Sequence, residues 1–155
     1  MFSPVGNILR CCAALLTSGA LLMSTGCGVG ERANQCNALA RQVNQALKPV
    51  KEFTDEHPEL SRGSGAPADY GELGKRYTQV SEAAKAMELQ DDRIIDLRDD
   101  YAKLYEETAT TCGSLQKARE ANDAAARVRA THELKRLERR EDSLLKRANA
   151  LCEPR

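Results

Sequence analysis

The sequence predicts an all-α protein that folds as an antiparallel up-down-up-down four-helix bundle. From residue 32 onward, apolar residues recur at alternating three- and four-residue steps, and no stretch alternates as a strand does. Clusters of Gly, Pro, Asn and Asp divide this part of the chain into four segments. Four amphipathic helices with short links bury their apolar faces well in an antiparallel bundle.

The first helix is expected from Arg32 to Glu56. Its apolar face comprises Cys36, Leu39, Val43, Ala46, Leu47, Val50 and Phe53. Pro49 lies inside this run and should kink the helix, because proline lacks a backbone N–H and crowds the preceding turn. A break into two shorter helices is the alternative. Pro58 ends the helix, since a residue before proline avoids helical geometry, and the composition of 61–67 is typical of a loop.

The second helix is expected from Tyr70 to Leu89, with Asp69 as its N-cap and Glu72 as the reciprocal partner. Its apolar face comprises Tyr70, Leu73, Tyr77, Val80, Ala84 and Met87. Either Asp91 or Asp92 can cap the third helix. The apolar face of the third helix comprises Ile94, Leu97, Tyr101, Leu104, Thr108, Thr111, Leu115 and Ala118, with Tyr105 beside it.

The third helix is expected to end at residues 121–123 rather than at Gly113. Asn122 tolerates the left-handed conformation of a helix C-terminus, and Asp123 can cap a fourth helix. That helix should extend to Cys152, with an apolar face of Val128, Leu134, Leu137, Leu144, Leu145, Ala148 and Leu151. Glu141 interrupts this face. It is expected to pair with a neighbouring arginine or to reach solvent, and a buried role such as a ligand contact is the alternative.

The first 26 residues differ from the rest of the chain. Arg10 precedes the 15-residue segment 11–25, which carries no charge and is rich in Ala and Leu. A helix that spans a bilayer needs about 20 such residues. The shorter run is typical of the apolar region of a secretory signal, which is removed from the mature protein. Residues 1–26 are therefore expected to be a signal peptide.

The residues that end this segment are Leu22-Met23-Ser24-Thr25-Gly26-Cys27, and they resemble the lipobox of bacterial lipoproteins. The resemblance implies cleavage before Cys27, which would carry diacylglycerol and an acylated amino group. Gly26 matches the small residue of the motif, whereas Ser24 departs from its aliphatic position. Several acyl chains on one cysteine anchor a protein firmly. By analogy with lipoprotein sorting, Gly28 favours the outer membrane, facing the periplasm. Ordinary cleavage near Gly26, which would leave a free protein, is the alternative.

Residues 27–31 would then be the lipidated cysteine with a short tether, and 32–155 the bundle domain. Three other cysteines remain in the mature chain: Cys36, Cys112 and Cys152. An exported protein meets an oxidising compartment. The start of the first helix and the end of the fourth share one pole of an up-down bundle, so a Cys36–Cys152 disulfide is expected, with Cys112 as a buried free thiol. A Cys112–Cys152 bond is the alternative and requires the break at Gly113.

The sequence contains no CxxC, CxxCH, P-loop, GxGxxG or GxSxG motif. His57 lies beside Asp55, Glu56 and Glu59, which is more typical of a solvated helix end than of a metal site. His132 has no second histidine four residues later, as the metalloprotease HExxH motif needs, and is expected at the surface. We therefore expect no enzyme activity, no cofactor and no metal.

The 23 basic residues equal the 23 acidic ones in number, which argues against a nucleic-acid-binding protein. Residues 52–107 contain 15 acidic and 7 basic residues, whereas 117–155 contain 11 basic and 7 acidic ones. The basic last helix is expected to compensate its acidic neighbours. A basic face for anionic lipid or an acidic partner is the alternative. This helix carries Arg127, Arg129, Lys135, Arg136, Arg139, Arg140, Lys146 and Arg147.

These observations predict a lipid-anchored, non-enzymatic helical protein of the bacterial cell envelope, with a structural or protein-binding role. Its expected partners are the membrane, through the lipid anchor, and another envelope protein. The pole farthest from the anchor is the expected meeting place. The alternative is a periplasmic helical bundle that binds a small ligand or a metal. The tyrosines are expected to pack in the core, with an aromatic-lined pocket as the alternative.

Overall fold

The computed structural model describes residues 27–152, with side chains from residue 30 onward. These residues form helices and no strand. The helices are α1 (Cys27–Glu56), α2 (Pro58–Ser61), α3 (Pro67–Lys85), α4 (Asp92–Glu120) and α5 (Ala124–Cys152). α3 packs on α4, α4 on α5 and α1 on α3, so the protein is an all-α helical bundle. The expected signal peptide, residues 1–26, lies outside the described residues. Within 27–152, no helix has the length and apolarity that crossing a bilayer requires.

α1 differs from its expected form at its start. It begins at Cys27 rather than near Arg32, so residues 27–31, expected as a tether, belong to the helix. As predicted, it continues through Pro49 as one helix, and the alternative of two shorter helices is wrong. Proline costs the helix one backbone hydrogen bond. The turn that follows nevertheless buries Val50 and Phe53 in the core, which holds the helix together beyond the proline.

The segment between α1 and α4 contains more helix at its start than the sequence predicts. Residues 58–61 form one helical turn, α2, which buries Leu60. α3 then begins at Pro67, because proline suits the first turn of a helix. The prediction of Asp69 as an N-cap is therefore wrong. Asp69 lies inside the first turn, and its Oδ2 accepts a hydrogen bond of 2.8 Å from the backbone N–H of Ala66. α3 ends at Lys85, earlier than expected.

The boundaries of α4 and α5 agree with the sequence prediction. Asp91 caps α4, because its carboxylate accepts a hydrogen bond of 3.0 Å from the N–H of Arg93. α4 passes through Gly113 without a break and ends at Glu120. Asn122 adopts the expected left-handed conformation, with φ of 51°. Asp123 then caps α5 through a 2.9 Å hydrogen bond from the N–H of Ala126.

The core contains most of the predicted apolar faces. Val128 is an exception, because 57% of it is exposed. The buried face of α5 passes through Ala130, Leu134 and Leu137. A residue two positions before Ala130 falls on the opposite side of the helix. Tyr105, expected beside the face of its helix, is fully buried instead.

Close backbone contact joins α3 to α4. A Cβ atom at Gly74 would lie 3.1 Å from the carbonyl oxygen of Ala109 and 3.3 Å from the Cβ of Cys112, so only glycine fits this crossing without adjustment. Farther along α3, the Ser81 hydroxyl donates a hydrogen bond of 2.8 Å to the carbonyl oxygen of Ala102. Residues later in α3 therefore contact residues earlier in α4.

Candidate functional site

A cleft of about 460 Å³ opens into the interior of the bundle. One wall is formed by the end of α1 and by α2, the other by α5, and α3 and α4 form the floor. Its lining is mainly apolar and includes Leu60, Leu73, Leu104, Leu134 and Leu137. A mainly apolar cleft of this size, with a few polar groups, is typical of a site for a small molecule.

Three tyrosine rings follow one another beside this cleft. Tyr77 of α3 stacks with Tyr105 of α4, with 5.9 Å between the ring centroids. Tyr101, one turn earlier on α4, also stacks with Tyr105, with a centroid distance of 6.2 Å. Tyr77 and Tyr105 line the cleft itself. Burial raises the pKa of all three phenols, that of Tyr101 to about 12. The rings therefore stay neutral at neutral pH, and their hydroxyls can donate hydrogen bonds.

Glu141 of α5 lies beside this row of rings. The Tyr105 hydroxyl donates a hydrogen bond of 2.9 Å to Glu141 Oε1. Burial raises the pKa of Glu141, the hydrogen bond from Tyr105 acts in the opposite direction, and Asp142 and Glu138 add to the rise. Among residues 30–152, no lysine or arginine forms an ion pair with Glu141. The expected pairing with an arginine is therefore not found there, whereas the partial exposure of Glu141 agrees with the other form of the prediction, in which this side chain reaches solvent.

Two cysteines form the disulfide that the sequence predicts. The Sγ atoms of Cys36 and Cys152 are 2.06 Å apart, and the bond joins α1 to the end of α5. The alternative bond between Cys112 and Cys152 is wrong. Cys112 is a buried free thiol at the floor of the cleft. Burial raises its pKa to about 12, so this thiol supplies no thiolate nucleophile at neutral pH.

The polar residues around His57 come close together, although not all in the predicted combination. The Nδ1 atom of His57 lies 3.1 Å from Glu59 Oε1 and 4.0 Å from Asp69 Oδ1. Asp69, which the sequence did not associate with His57, takes the place of Asp55 and Glu56. Each member of the trio is only partly buried. Hydrogen bonding at a solvated helix end accounts for this arrangement. His132 is exposed, as predicted.

The basic residues of α5 meet acidic residues of α4. Arg136 Nη2 and Arg140 Nη1 lie 3.3 and 2.9 Å from the same oxygen of Glu107. Arg147 Nη2 lies 2.6 Å from Asp100 Oδ2. These pairs support the prediction that the acidic and basic helices compensate each other.

Cys27, the predicted lipidation site, is the first residue of α1. Its side chain lies outside the part of the chain whose side chains the structure describes. Sequence reasoning singled out Glu141 and the tyrosines but did not join them. An acidic residue inside an apolar face and a tyrosine at the edge of the facing helix were the available signals. Comparison of the chain with protein-family models, with curated proteins and with solved structures finds no match in any of the three.

Proposed function

We propose that this chain is a lipid-anchored, non-enzymatic protein of the bacterial cell envelope that binds a small, mainly apolar molecule in its cleft. The observation that carries the proposal is the cleft itself, with the Tyr105–Glu141 hydrogen bond among mainly apolar lining surface. The raised pKa of Cys112 favours binding over thiol catalysis in this cleft. The lipobox-like residues before Cys27 support the lipid anchor.

The proposal includes an up-down-up-down order of α1, α3, α4 and α5. Its support lies in pairs of contacts that run in opposite directions along neighbouring helices: Gly74–Ala109 and Ser81–Ala102 between α3 and α4, and Glu107–Arg136 and Asp100–Arg147 between α4 and α5. In this order the disulfide lies at the pole next to the anchor, because about 14 Å of helix separates Cys27 from Cys36. The cleft then lies toward the far pole and opens to the periplasm.

A neutral apolar fluorescent dye, N-phenyl-1-naphthylamine, tests the proposal. The protein is residues 27–155 with Cys27→Ser, which contains all the described helices and their core without a lipid. We expect saturable binding of one dye molecule per chain. Thr108→Trp should abolish binding, because the Thr108 side chain lines the cleft and an indole would fill it.

Thr110→Trp is the matched control on the same helix. Thr108 and Thr110 both donate a hydrogen bond to the carbonyl oxygen four residues earlier, but Thr110 is exposed and lies outside the cleft. It should leave dye binding unchanged, and circular dichroism should report equal helix content in both variants. Absence of binding, or equal binding by the two variants, would contradict the proposal.

A second candidate function is docking of an envelope protein at the pole opposite the disulfide. The exposure of Val128, close to the 121–123 turn, favours it. A photo-crosslinking residue at Ala125, which is also exposed, should capture one protein in cells. Val128→Glu should abolish that crosslink, and Lys146→Glu, farther along α5, should not. Equal capture by both variants would contradict docking at this pole.

A further inference from the structure

The charged residues of the cleft are mostly acidic. Asp55, Glu138 and Glu141 line it, and Lys51 is its one basic residue among those described. Lys51 is already engaged, because its Nζ atom forms an ion pair with Asp55 one helical turn later. Three of the four charged side chains that line the cleft are therefore acids, which favours a cationic ligand over an anionic one.

Glu141 is the acid that lies closest to the aromatic floor. One of its oxygens accepts the hydrogen bond of Tyr105. Its second oxygen accepts none from residues 30–152 and is not among the fully enclosed, unpartnered atoms, so it is accessible to a partner from outside the protein core. A carboxylate in apolar surroundings is costly unless a cation or further donors accompany it. The nearest charges that act on it, those of Asp142 and Glu138, have the same sign and make this cost larger.

The rings beside Glu141 suit the same kind of ligand. Tyrosine rings attract an organic cation that lies within about 6 Å of the ring centroid. Tyr77 and Tyr105 both line the cleft. Because Tyr105 is fully buried and stacks with Tyr77 and Tyr101, Tyr77 is the ring that can offer a face to a cation. The leucines of the two walls offer apolar surface to a hydrocarbon group attached to such a cation. The cleft therefore offers a carboxylate, an aromatic ring and apolar surface to a single ligand.

We infer that the ligand is an organic cation with an apolar body, such as an alkylammonium, whose charged nitrogen binds at Glu141 beside Tyr77. The inference rests on the proposed binding function and adds the chemical class of the ligand. The hydrocarbon part of the ligand extends between the leucines of α2 and α5. The charged nitrogen of the ligand gives the Glu141 carboxylate a partner of opposite charge, and its hydrocarbon part covers apolar surface of the cleft.

Isothermal titration calorimetry with three ligands of equal chain length tests the inference: octyltrimethylammonium, octanol and octanoate, each below its aggregation concentration. The protein is the unlipidated mature chain described above. We expect octyltrimethylammonium to bind at least tenfold more tightly than octanol, and octanoate to bind more weakly than octanol. Because its charge is permanent, any weakening of its binding on acidification reports protonation of the protein.

Glu141→Gln keeps the size of the side chain and an oxygen for the Tyr105 hydroxyl. It should weaken octyltrimethylammonium binding at least tenfold, or about 1.4 kcal/mol, and change octanol binding less than twofold. Glu52→Gln removes an exposed acid of α1 outside the cleft and should change neither.

The outcomes separate this inference from the function on which it rests. Equal affinity for the three ligands, all blocked by Thr108→Trp, would overturn the cation inference and leave the binding function intact. Unchanged cation affinity in Glu141→Gln would also overturn it. If neither the dye nor any of the three ligands binds, the binding function fails as well.

Discussion

The guanidinium of Arg76, on α3, donates a hydrogen bond of 3.3 Å to the carbonyl oxygen of Pro49, in the interior of α1. The same guanidinium lies 4.6 Å from the ring centroid of Phe53 and 3.2 Å from a carboxylate oxygen of Glu72. Arg76 therefore ties α3 to the part of α1 where proline has removed a backbone hydrogen bond. This contact and the buried turn after Pro49 together explain why α1 remains one helix.

Arg76→Ala should lower the free energy of unfolding by about 1–2 kcal/mol, because it removes packing on Phe53 and a charged hydrogen bond. Urea denaturation measures this change. Lys75→Ala is the control, since its side chain is 77% exposed and its ion pair lies at the surface. It should change stability by less than about 0.5 kcal/mol. Similar losses in both variants would contradict the role of Arg76.

The disulfide should be a large contribution to stability, because it closes a loop with a sequence separation of 116 residues. Replacing Cys36 and Cys152 with serine should lower the free energy of unfolding by about 3–5 kcal/mol. A reducing agent should destabilise the wild-type protein and leave the double variant unchanged. Non-reducing peptide mapping should recover Cys36 linked to Cys152. A peptide that links Cys112 to either residue would contradict the structure.

The pH dependence of stability should report the burial of Glu141. Burial raises its pKa in the folded state above the ordinary value of 4.5, so at higher pH the folded state binds more protons than the unfolded state. The stability that this group contributes is therefore complete below about pH 4.5 and decreases as the pH rises through the folded-state pKa. Glu141→Gln removes this dependence. The free energy of unfolding of Glu141→Gln minus that of the wild type should therefore increase from pH 5 to pH 8.

Other titratable groups lie around Glu141 and the cleft: Tyr101 and Tyr105 on α4, Tyr77 on α3, Glu138 and Asp142 on α5, and Lys51 and Asp55 on α1. They are present in both proteins, so the difference between variant and wild type isolates Glu141 to first order. Glu52→Gln, at an exposed position, should give a difference that stays flat over the same range. A flat difference for Glu141→Gln as well would contradict its burial.

Asn122 should tolerate glycine but not valine. Its φ of 51° places it in the left-handed region, which costs a residue with a branched side chain about 1–2 kcal/mol. Asn122→Val should lower the free energy of unfolding by that amount, and Asn122→Gly should change it little. Asn149→Val, at an exposed helical position of α5, should cost only a few tenths of a kcal/mol. Equal effects at the two positions would contradict the turn.

Cys27 should carry the lipid if the lipobox resemblance is correct. Metabolic labelling with a clickable fatty acid should mark the wild-type protein. Cys27→Ser should lose the label and leave the membrane fraction, whereas Cys36→Ser should keep both. Equal labelling of Cys27→Ser and the wild type would contradict lipidation at this residue.

The sequence predicted the helices best where local chemistry acts alone. The caps at Asp91 and Asp123 and the turn at Asn122 depend on a few neighbouring residues, and all three are confirmed. Asp69 was misassigned because an acid near a helix start can act either as the cap or inside the first turn, and Pro67 decides between them. The disulfide followed from the order of the helices rather than from local pattern.

The cleft could not be predicted in the same way. Leu134 and Leu137 have helical spacing whether they meet another helix or face a cavity, so periodicity does not distinguish the two. Glu141 was recognisable as a polar interruption of an apolar face. Its partner Tyr105 lies on another helix, and the pairing depends on how α4 and α5 are aligned along their length. That alignment is set by many contacts at once, and no short motif encodes it.

The Cys36–Cys152 disulfide joins α1 and α5 near one end of the bundle, and the cleft lies farther along both helices. Lys51, on the cleft wall, is 15 residues beyond Cys36, a distance of about 22 Å along a helix. A rotation of α1 by about 5° about the disulfide would therefore move this wall by about 2 Å. Because the disulfide fixes the joined ends of α1 and α5, the width of the cleft depends on the angle between the two helices rather than on the distance between those ends.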